Sequence, residues 1–448
     1  MTSLKSLFKQ HESPSSGYGT DKDLTHCYGD LYDRILAPYR ESVKEVLEIG
    51  SCSGAAVKCF AEYFLYANVT GIDLDIRHTR FTHPRARFVK ANGISPETPY
   101  ELGRYYDFIL EDASHHPPDQ IKSFDIFAPY LRLNGIYIIE NVHEYHHMAL
   151  KEQLPLLAEK HSCILEWYDL RTVHGRFDDI VAVFRKVTPE QKEVHESNKK
   201  QLELQRVNEH LAKEQAFKLR GWRSPVKKYV YIHVAALNNW LEVFTDIITK
   251  LITHGVYNEV NEIRVGYLGD SGQLKQLQEY ISDKSKIMIA KTCTDLSLYE
   301  RHTLNLLHDD CTNQREDFYV LYLHTKGVKA ANPYIKDWIE LFHYFLIEKH
   351  QHCIQALSEQ NCSVVGCNMA HWPSLHFSGN LWWASSRYIR TLVRTIGPEY
   401  LHPEMWVLSG KGKFMSCHDS RICHYEGPYP ASKYVDKPYL DLIYDNQV

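Results

Sequence analysis

Nine residues, Val46-Leu-Glu-Ile-Gly-Ser-Cys-Ser-Gly54, constrain the first half of the chain more than any others. A short β-rich run enters a glycine turn that opens an amphipathic stretch. The segment therefore reads as strand, tight turn and helix, the geometry that holds a nucleotide-like ligand against a helix N-terminus. The alternation continues through residues 43–187, with strands expected at 45–49, 68–72, 86–90, 108–110 and 136–139, then at 164–169 and 179–185. Such a series builds a parallel sheet covered by helices. Only Arg171-Thr-Val-His-Gly-Arg-Phe177 separates the last two runs. That is too short for a helical crossover, so they are expected to pair antiparallel as a closing hairpin.

Two glycines, Gly50 and Gly54, stand in the turn, so the three-glycine dinucleotide fingerprint is not met. Asp73 ends the second strand, where a carboxylate can accept both hydroxyls of a ribose. These features alone fit a specific cofactor, a different nucleotide, or an ordinary strand-to-helix turn.

Residues 188–223 change character. Thr188-Pro189-Glu190 is a helix start, and charged and amide residues then dominate around a thin stripe of Val194, Leu202, Leu204, Val207 and Leu211. A solvated linker helix is expected; a short dimerising coiled coil, and with it a homo-oligomer, is the alternative. A second α/β pattern begins at Lys227, with strands at 230–234, 263–268, 286–291, 319–324 and 364–367 and helices at 240–253, 298–309 and 335–357. The expected organisation is thus 1–187, a helical linker 188–223, and 224–448.

Composition limits the partners. The 448 residues are 44% apolar, with 51 Lys and Arg against 56 Asp and Glu, a net charge of −5. Nothing in this balance favours nucleic acid or an anionic membrane surface. No apolar run reaches 18 residues, and the eleven scattered cysteines form no C-x-x-C pair. A reduced, cytoplasmic setting without a membrane span is the expectation.

Seven segments carry a more specific signal: Tyr18-Gly-Thr-Asp-Lys22, His26-x-Tyr28, Val46–Gly50, Gly71-Ile-Asp-Leu-Asp75, Asp107-Phe-Ile-Leu-Glu-Asp-Ala-Ser-His115, Ser123-Phe-x-x-Phe127 and Gly135-Ile-Tyr-Ile-Ile-Glu-Asn141. In this order they resemble class I S-adenosylmethionine-dependent methyltransferases, and more narrowly the metal-dependent sugar O-methyltransferases of macrolide and related glycan pathways. The resemblance covers roughly residues 17–187 and implies a Rossmann-like methyltransferase domain. It implies cofactor contacts from Tyr18, Thr20, Lys22, Glu48, Gly50, Ser51, Gly54, Asp73, Asn92 and Asp112. Asp112, Glu140 and Asn141 would hold Mg2+ or a similar divalent cation. Asn141 stands where the family has an acidic residue, which keeps an oxygen donor but removes charge, and Asn92 likewise replaces the acidic residue expected near the adenine.

The residues support that chemistry independently. Asp112 and Glu140 fall at the carboxyl ends of two expected strands, where open α/β sheets bind ligands. Hard cations prefer such oxygen donors and can orient two sugar hydroxyls. His115, three residues after Asp112, is placed to accept the proton as general base.

In the second half, Phe318-Tyr-Val-Leu-Tyr-Leu-His-Thr-Lys-Gly327 is a strand ending in a polar turn without an Asp-x-Asp pair. His324 and Lys326 there could neutralise a diphosphate leaving group. Gly379, Asn380, Trp382 and Trp383 suit a sugar's hydroxyls and apolar face, and Glu404 could deprotonate an acceptor. These segments resemble glycosyltransferases of bacteria and large viruses, including those similar to rhamnan-synthesis proteins. The resemblance implies a GT-A-like α/β domain with a nucleotide sugar as donor. Together the two halves are expected to form a bifunctional glycan-building enzyme acting on small-molecule or oligosaccharide substrates. The alternatives are a methyltransferase with a non-catalytic carbohydrate-binding module, and a nucleotide-dependent oxidoreductase in the first domain.

Overall fold

Strand β1 (Glu45–Ile49) has parallel neighbours on both sides, β2 (Asn68–Asp73) and β4 (Tyr106–Glu111). The computed structural model, which describes residues 2–12, 19–144, 147–220, 224–328 and 332–446, extends this sheet with β3 (Ala86–Lys90), β5 (Leu131–Ile139), β6 (Cys163–Asp169) and β7 (Ile180–Lys186). The order is β3-β2-β1-β4-β5-β7-β6. The first five strands run parallel, and β7 lies antiparallel to both β5 and β6. The hairpin expected from the short 171–177 connection is therefore present; that connection holds one helical turn, Arg171–His174, closed by Gly175 at φ +70°.

Successive residues of these strands feed two cores. Val46, Val69, Phe108, Leu110, Ile136 and Val183 pack on one face, and Leu47, Ile72, Ile109, Tyr137, Ala182 and Phe184 on the other. A sheet covered on both faces explains why the strands read as nearly continuous apolar runs. Strand order reverses between β1 and β4, so a crevice opens at their carboxyl ends.

The chain divides into two compact units, residues 1–203 and 204–448, and the division falls within the helix Pro189–Arg220. Among the described residues, the larger sheet of the second unit has eight strands: β8 (Lys227–Ala235), β9 (Glu262–Leu268), β10 (Ile287–Cys293), β11 (Phe318–His324), β12 (Val364–Gly366), then, beyond the separate two-residue pair β13 (Met369–Ala370) and β14 (His376–Phe377), β15 (Trp382–Ser385), β16 (Gly412–Ser416) and β17 (Leu442–Asn446). The order is β10-β9-β8-β11-β15-β12-β16-β17. Strands β8 to β11 are mutually parallel, whereas β15 runs antiparallel to both β11 and β12.

Two expectations change here. The long helix expected at 335–357 is two helices, Ile335–Phe342 and His350–Glu359, joined by a π turn over His343–Glu348. The Lys349 amide donates to Tyr344 O, 2.8 Å away, an i to i−5 bond that α-periodicity does not reveal. Strand β15 was not expected. Its first three residues are all buried and show no alternation: Trp382 packs with Tyr322 and Phe414 on one side, Trp383 with Leu321 and Met415 on the other.

Candidate functional site

Gly50 leaves β1 at φ +91°, and a Cβ there would lie 2.2 Å from the carbonyl oxygen of Asp112. This contact between the ends of β1 and β4 is why the turn requires glycine. Gly54, at φ +82°, caps the helix Ala55–Tyr63 and donates its N–H to Ser51 O at 2.7 Å. Asp73 accepts the amides of Cys52 at 2.9 Å and Asp75 at 3.0 Å, which fixes its carboxylate at the rim of the crevice. Asn92 turns the chain after β3, accepting the Ile94 amide at 3.1 Å and the Thr98 hydroxyl on its own carbonyl at 2.8 Å.

Thr20, Lys22, Glu48 and Ser51 are all buried near this edge. Tyr18 lies outside the described residues. Among the described residues, Glu48 Oε2 and Ser51 Oγ find no hydrogen-bond partner. Burial pushes the Glu48 carboxyl well above the usual range, against the pull of Lys22. Orphaned polar atoms beside a glycine turn fit an S-adenosylmethionine-type ligand bearing hydroxyl and ammonium donors.

The carboxylates expected to hold a metal meet in this crevice. Lys22 Nζ lies 2.6 Å from Asp112 Oδ2 and 2.5 Å from Glu140 Oε2, and the Tyr32 hydroxyl donates to Glu140 Oε1. Burial would raise Asp112, yet Lys22 and His115 hold it below the usual carboxylate range. Glu140, fully buried, is pushed up to about 7 by desolvation despite Lys22. Burial disfavours the Lys22 ammonium, but its two carboxylates keep it charged. A cation thus already occupies a point within bonding reach of both acids. Lys22 Nζ stands where the two carboxylates converge, and oxygen donors such as those of Asp112 and Glu140 are of the kind a hard divalent ion takes.

Asn141 sits at φ +53°, with Nδ2 3.0 Å from His26 Nε2, and His26 Nδ1 is 2.6 Å from the buried Asp179. Burial opposes charge on His26, but Asp179 raises its pKa overall. His115, at φ +54°, places Nε2 3.0 Å from Asp112 Oδ1 and is half exposed; burial lowers its pKa, and the bond to Asp112 more than reverses this. Tyr32, His26 and Asp179 were absent from the expected site. His26 lies within a matched segment, but Asp179 is far away in sequence and Tyr32 reads as one apolar position of an amphipathic helix.

In the second unit, the turn after β11 and the 379–380 turn converge. His324 Nε2 lies 2.8 Å from Gly379 O, and the Gly379 amide donates to Glu404 Oε1. Asn380 Nδ2 donates to Glu300 Oε2 at 2.7 Å, which also accepts the Tyr322 hydroxyl at 2.9 Å. Lys326 Nζ stands 3.7 Å from the centre of the Trp338 ring, and burial lowers its pKa. Glu300 is a further member that sequence reading missed. Trp382 and Trp383 need correction: both are 0% exposed in a central strand, with Nε1 bonded to Asn380 Oδ1 at 2.9 Å and Leu346 O at 2.8 Å. They form core and cannot stack on a sugar.

The N-terminal region resembles sugar O-methyltransferases. The chain is 27% identical over 135 residues to the 8-demethyl-8-alpha-L-rhamnosyl tetracenomycin-C 2'-O-methyltransferase of Streptomyces olivaceus, covering 28% of this chain and 35% of that protein. It is 32% identical over 136 residues to the L-olivosyl-oleandolide 3-O-methyltransferase of Streptomyces antibioticus, with the same two coverages. This chain therefore spans about a third of the length of the curated relatives it matches. Among solved structures, MycE methyltransferase of the mycinamycin pathway, in complex with Mg and SAH, aligns at 19% identity over 42% of this chain and 55% of that one, with a TM-score of 0.34. Residues 231–416 match a family described as a domain of unknown function, DUF8361. Among the described residues, no helix is long and apolar enough to cross a membrane.

Proposed function

We propose that the first unit transfers a methyl group from S-adenosylmethionine to a sugar hydroxyl, and that the second transfers a sugar from a nucleotide-sugar donor. The observation that carries the first reading is the meeting of Asp112, Glu140 and His115 at the ends of β4 and β5, beside the Gly50 turn. The relatives named above support the sugar as acceptor.

The turn residues 50–54 and the Asp73 carboxylate would hold the cofactor, which supplies the methyl group. Asp112, Glu140 and Asn141 would hold Mg2+, which when bound orients neighbouring hydroxyls and lowers the pKa of the attacking one. With the His115 Nε2 proton held by Asp112, Nδ1 offers the lone pair that accepts the hydroxyl proton. Tyr32 holds one oxygen of the Glu140 carboxylate, so the acceptor meets a pre-oriented group.

Support for the second activity is the cluster of His324, Lys326, Glu300, Asn380 and Glu404 at the carboxyl edge of the parallel strands. A half-buried lysine and an imidazole could receive a departing diphosphate. One observation favours the other reading, a carbohydrate-binding module: His324 and Glu404 are both already bonded to Gly379. Incubation of the whole chain with labelled S-adenosylmethionine and a panel of glycosides and nucleotide sugars tests the first activity, label in a sugar product being the expected result. Turnover of a nucleotide sugar tests the second. Saturable sugar binding without turnover would replace transfer with the binding module.

A further inference from the structure

Five of the eleven cysteines fall within residues 353–423, far from the methyl-transfer crevice in sequence. The second unit gathers three of them. Cys367 follows β12 and Cys417 follows β16; these strands are parallel neighbours with Gly366 opposite Ser416, and the Cys417 amide donates to Gly366 O at 2.8 Å. Cys353, from the helix His350–Glu359, brings its Sγ to 4.0 Å from Cys417 Sγ. All three are fully buried.

Two harder donors join them. His352 Nε2 lies 2.8 Å from Asp441 Oδ1, and one donor atom each of His352, Asp441 and Cys417 lie within 4.8 Å of one another. Asp441, at φ +44°, immediately precedes β17, whose Leu442 pairs with Ser416. The Tyr439 ring stacks on the His352 imidazole at 4.1 Å and orients it. Helix, sheet edge and final strand thus each send a ligand-type atom to one spot.

We propose that Cys417, His352 and Asp441 form a structural zinc site in the second unit, with Cys353, next to Cys417 but outside the converged trio, closing in as the fourth donor. Tetrahedral zinc with Zn–S bonds of about 2.3 Å sets its two sulfurs about 3.8 Å apart, and the thiols stand at 4.0 Å. Sulfur and imidazole donors select zinc over Mg2+. His352 and Asp441, with side chains 18% and 36% exposed, provide the entry path. On binding, the thiol protons of Cys353 and Cys417 leave to solvent and no redox change occurs. The ion would fasten the closing strand β17 to the sheet, independently of either transferase activity.

Elemental analysis of the full chain, purified without chelator, tests this. The expected result is one zinc per chain, retained in the buried-cysteine control Cys59→Ser and lost to background in Cys417→Ser and His352→Ala. Should those variants fail to fold, titrating Co2+ into the metal-stripped wild type gives the same information through a thiolate charge-transfer band and tetrahedral d–d bands. A wild-type chain that carries no zinc and shows no such bands overturns the assignment, as does a Cys353–Cys417 disulfide found by mass mapping.

Discussion

Replacing Lys22 by Met keeps most of the side-chain length and removes the charge that joins Asp112 to Glu140. In the wild type one ammonium, 1% exposed, serves carboxylates at 2.6 and 2.5 Å. Without it, two acids face each other away from solvent, and breaking a buried pair by removing one partner costs about 3–5 kcal/mol. Hydrogen exchange followed by mass spectrometry reads this locally, because strands β4 and β5 exchange through opening of the first unit. At 1.4 kcal/mol per tenfold, their protection should fall by roughly two to three and a half orders of magnitude in chelator. Millimolar Mg2+ should then restore more protection in Lys22→Met than in the wild type, since the divalent ion no longer competes with an internal cation. Unchanged protection in chelator, or indifference of the variant to Mg2+, would refute the view that Lys22 stands at the cation position.

Three further outcomes are expected. His115→Ala should lower methyl transfer by about 10²–10⁴-fold, the range for a positioned general base, with S-adenosylhomocysteine binding retained in calorimetry; equal turnover removes His115 as base. Glu111, buried beside Asp112, is pushed up to about 8 by burial. The folded metal-free protein therefore holds an extra proton between the ordinary carboxyl range and about pH 8, and stability falls as pH rises through that window by at most about 1.4 kcal/mol per unit. Glu111→Gln should flatten that slope in urea unfolding, gaining on the wild type at pH 8 but not at pH 4; parallel profiles would contradict it. Trp382→Ala should destabilise the second unit by about 3–5 kcal/mol in the same measurement, as loss of a core aromatic does; a folded variant with lost sugar binding would instead restore a stacking role.

Much of the first unit was legible because its signals are local. The Gly50 turn, the strand-end acids and the 171–177 connection each follow from a few adjacent residues, and the sheet confirms the closing hairpin. The supporting groups were not legible, because they come from distant segments: Asp179 reaches His26 across 153 positions, and Lys22 reaches Glu140 across 118. In the second unit the failure has a different cause. Trp382 and Trp383 resemble a sugar platform in sequence, but adjacent residues of a strand point to opposite faces, and here both faces are core. The π turn at 343–348 likewise leaves no mark on a helical apolar pattern.

The crevice at the end of β1 is proposed as an S-adenosylmethionine site. Titration calorimetry of the full chain with S-adenosylhomocysteine, beside an identical titration with NAD+, tests it most directly. One saturable site for S-adenosylhomocysteine, weakened at least tenfold by Asp73→Ala, and no binding of NAD+ are expected. Absence of binding, or NAD+ binding in its place, would contradict it.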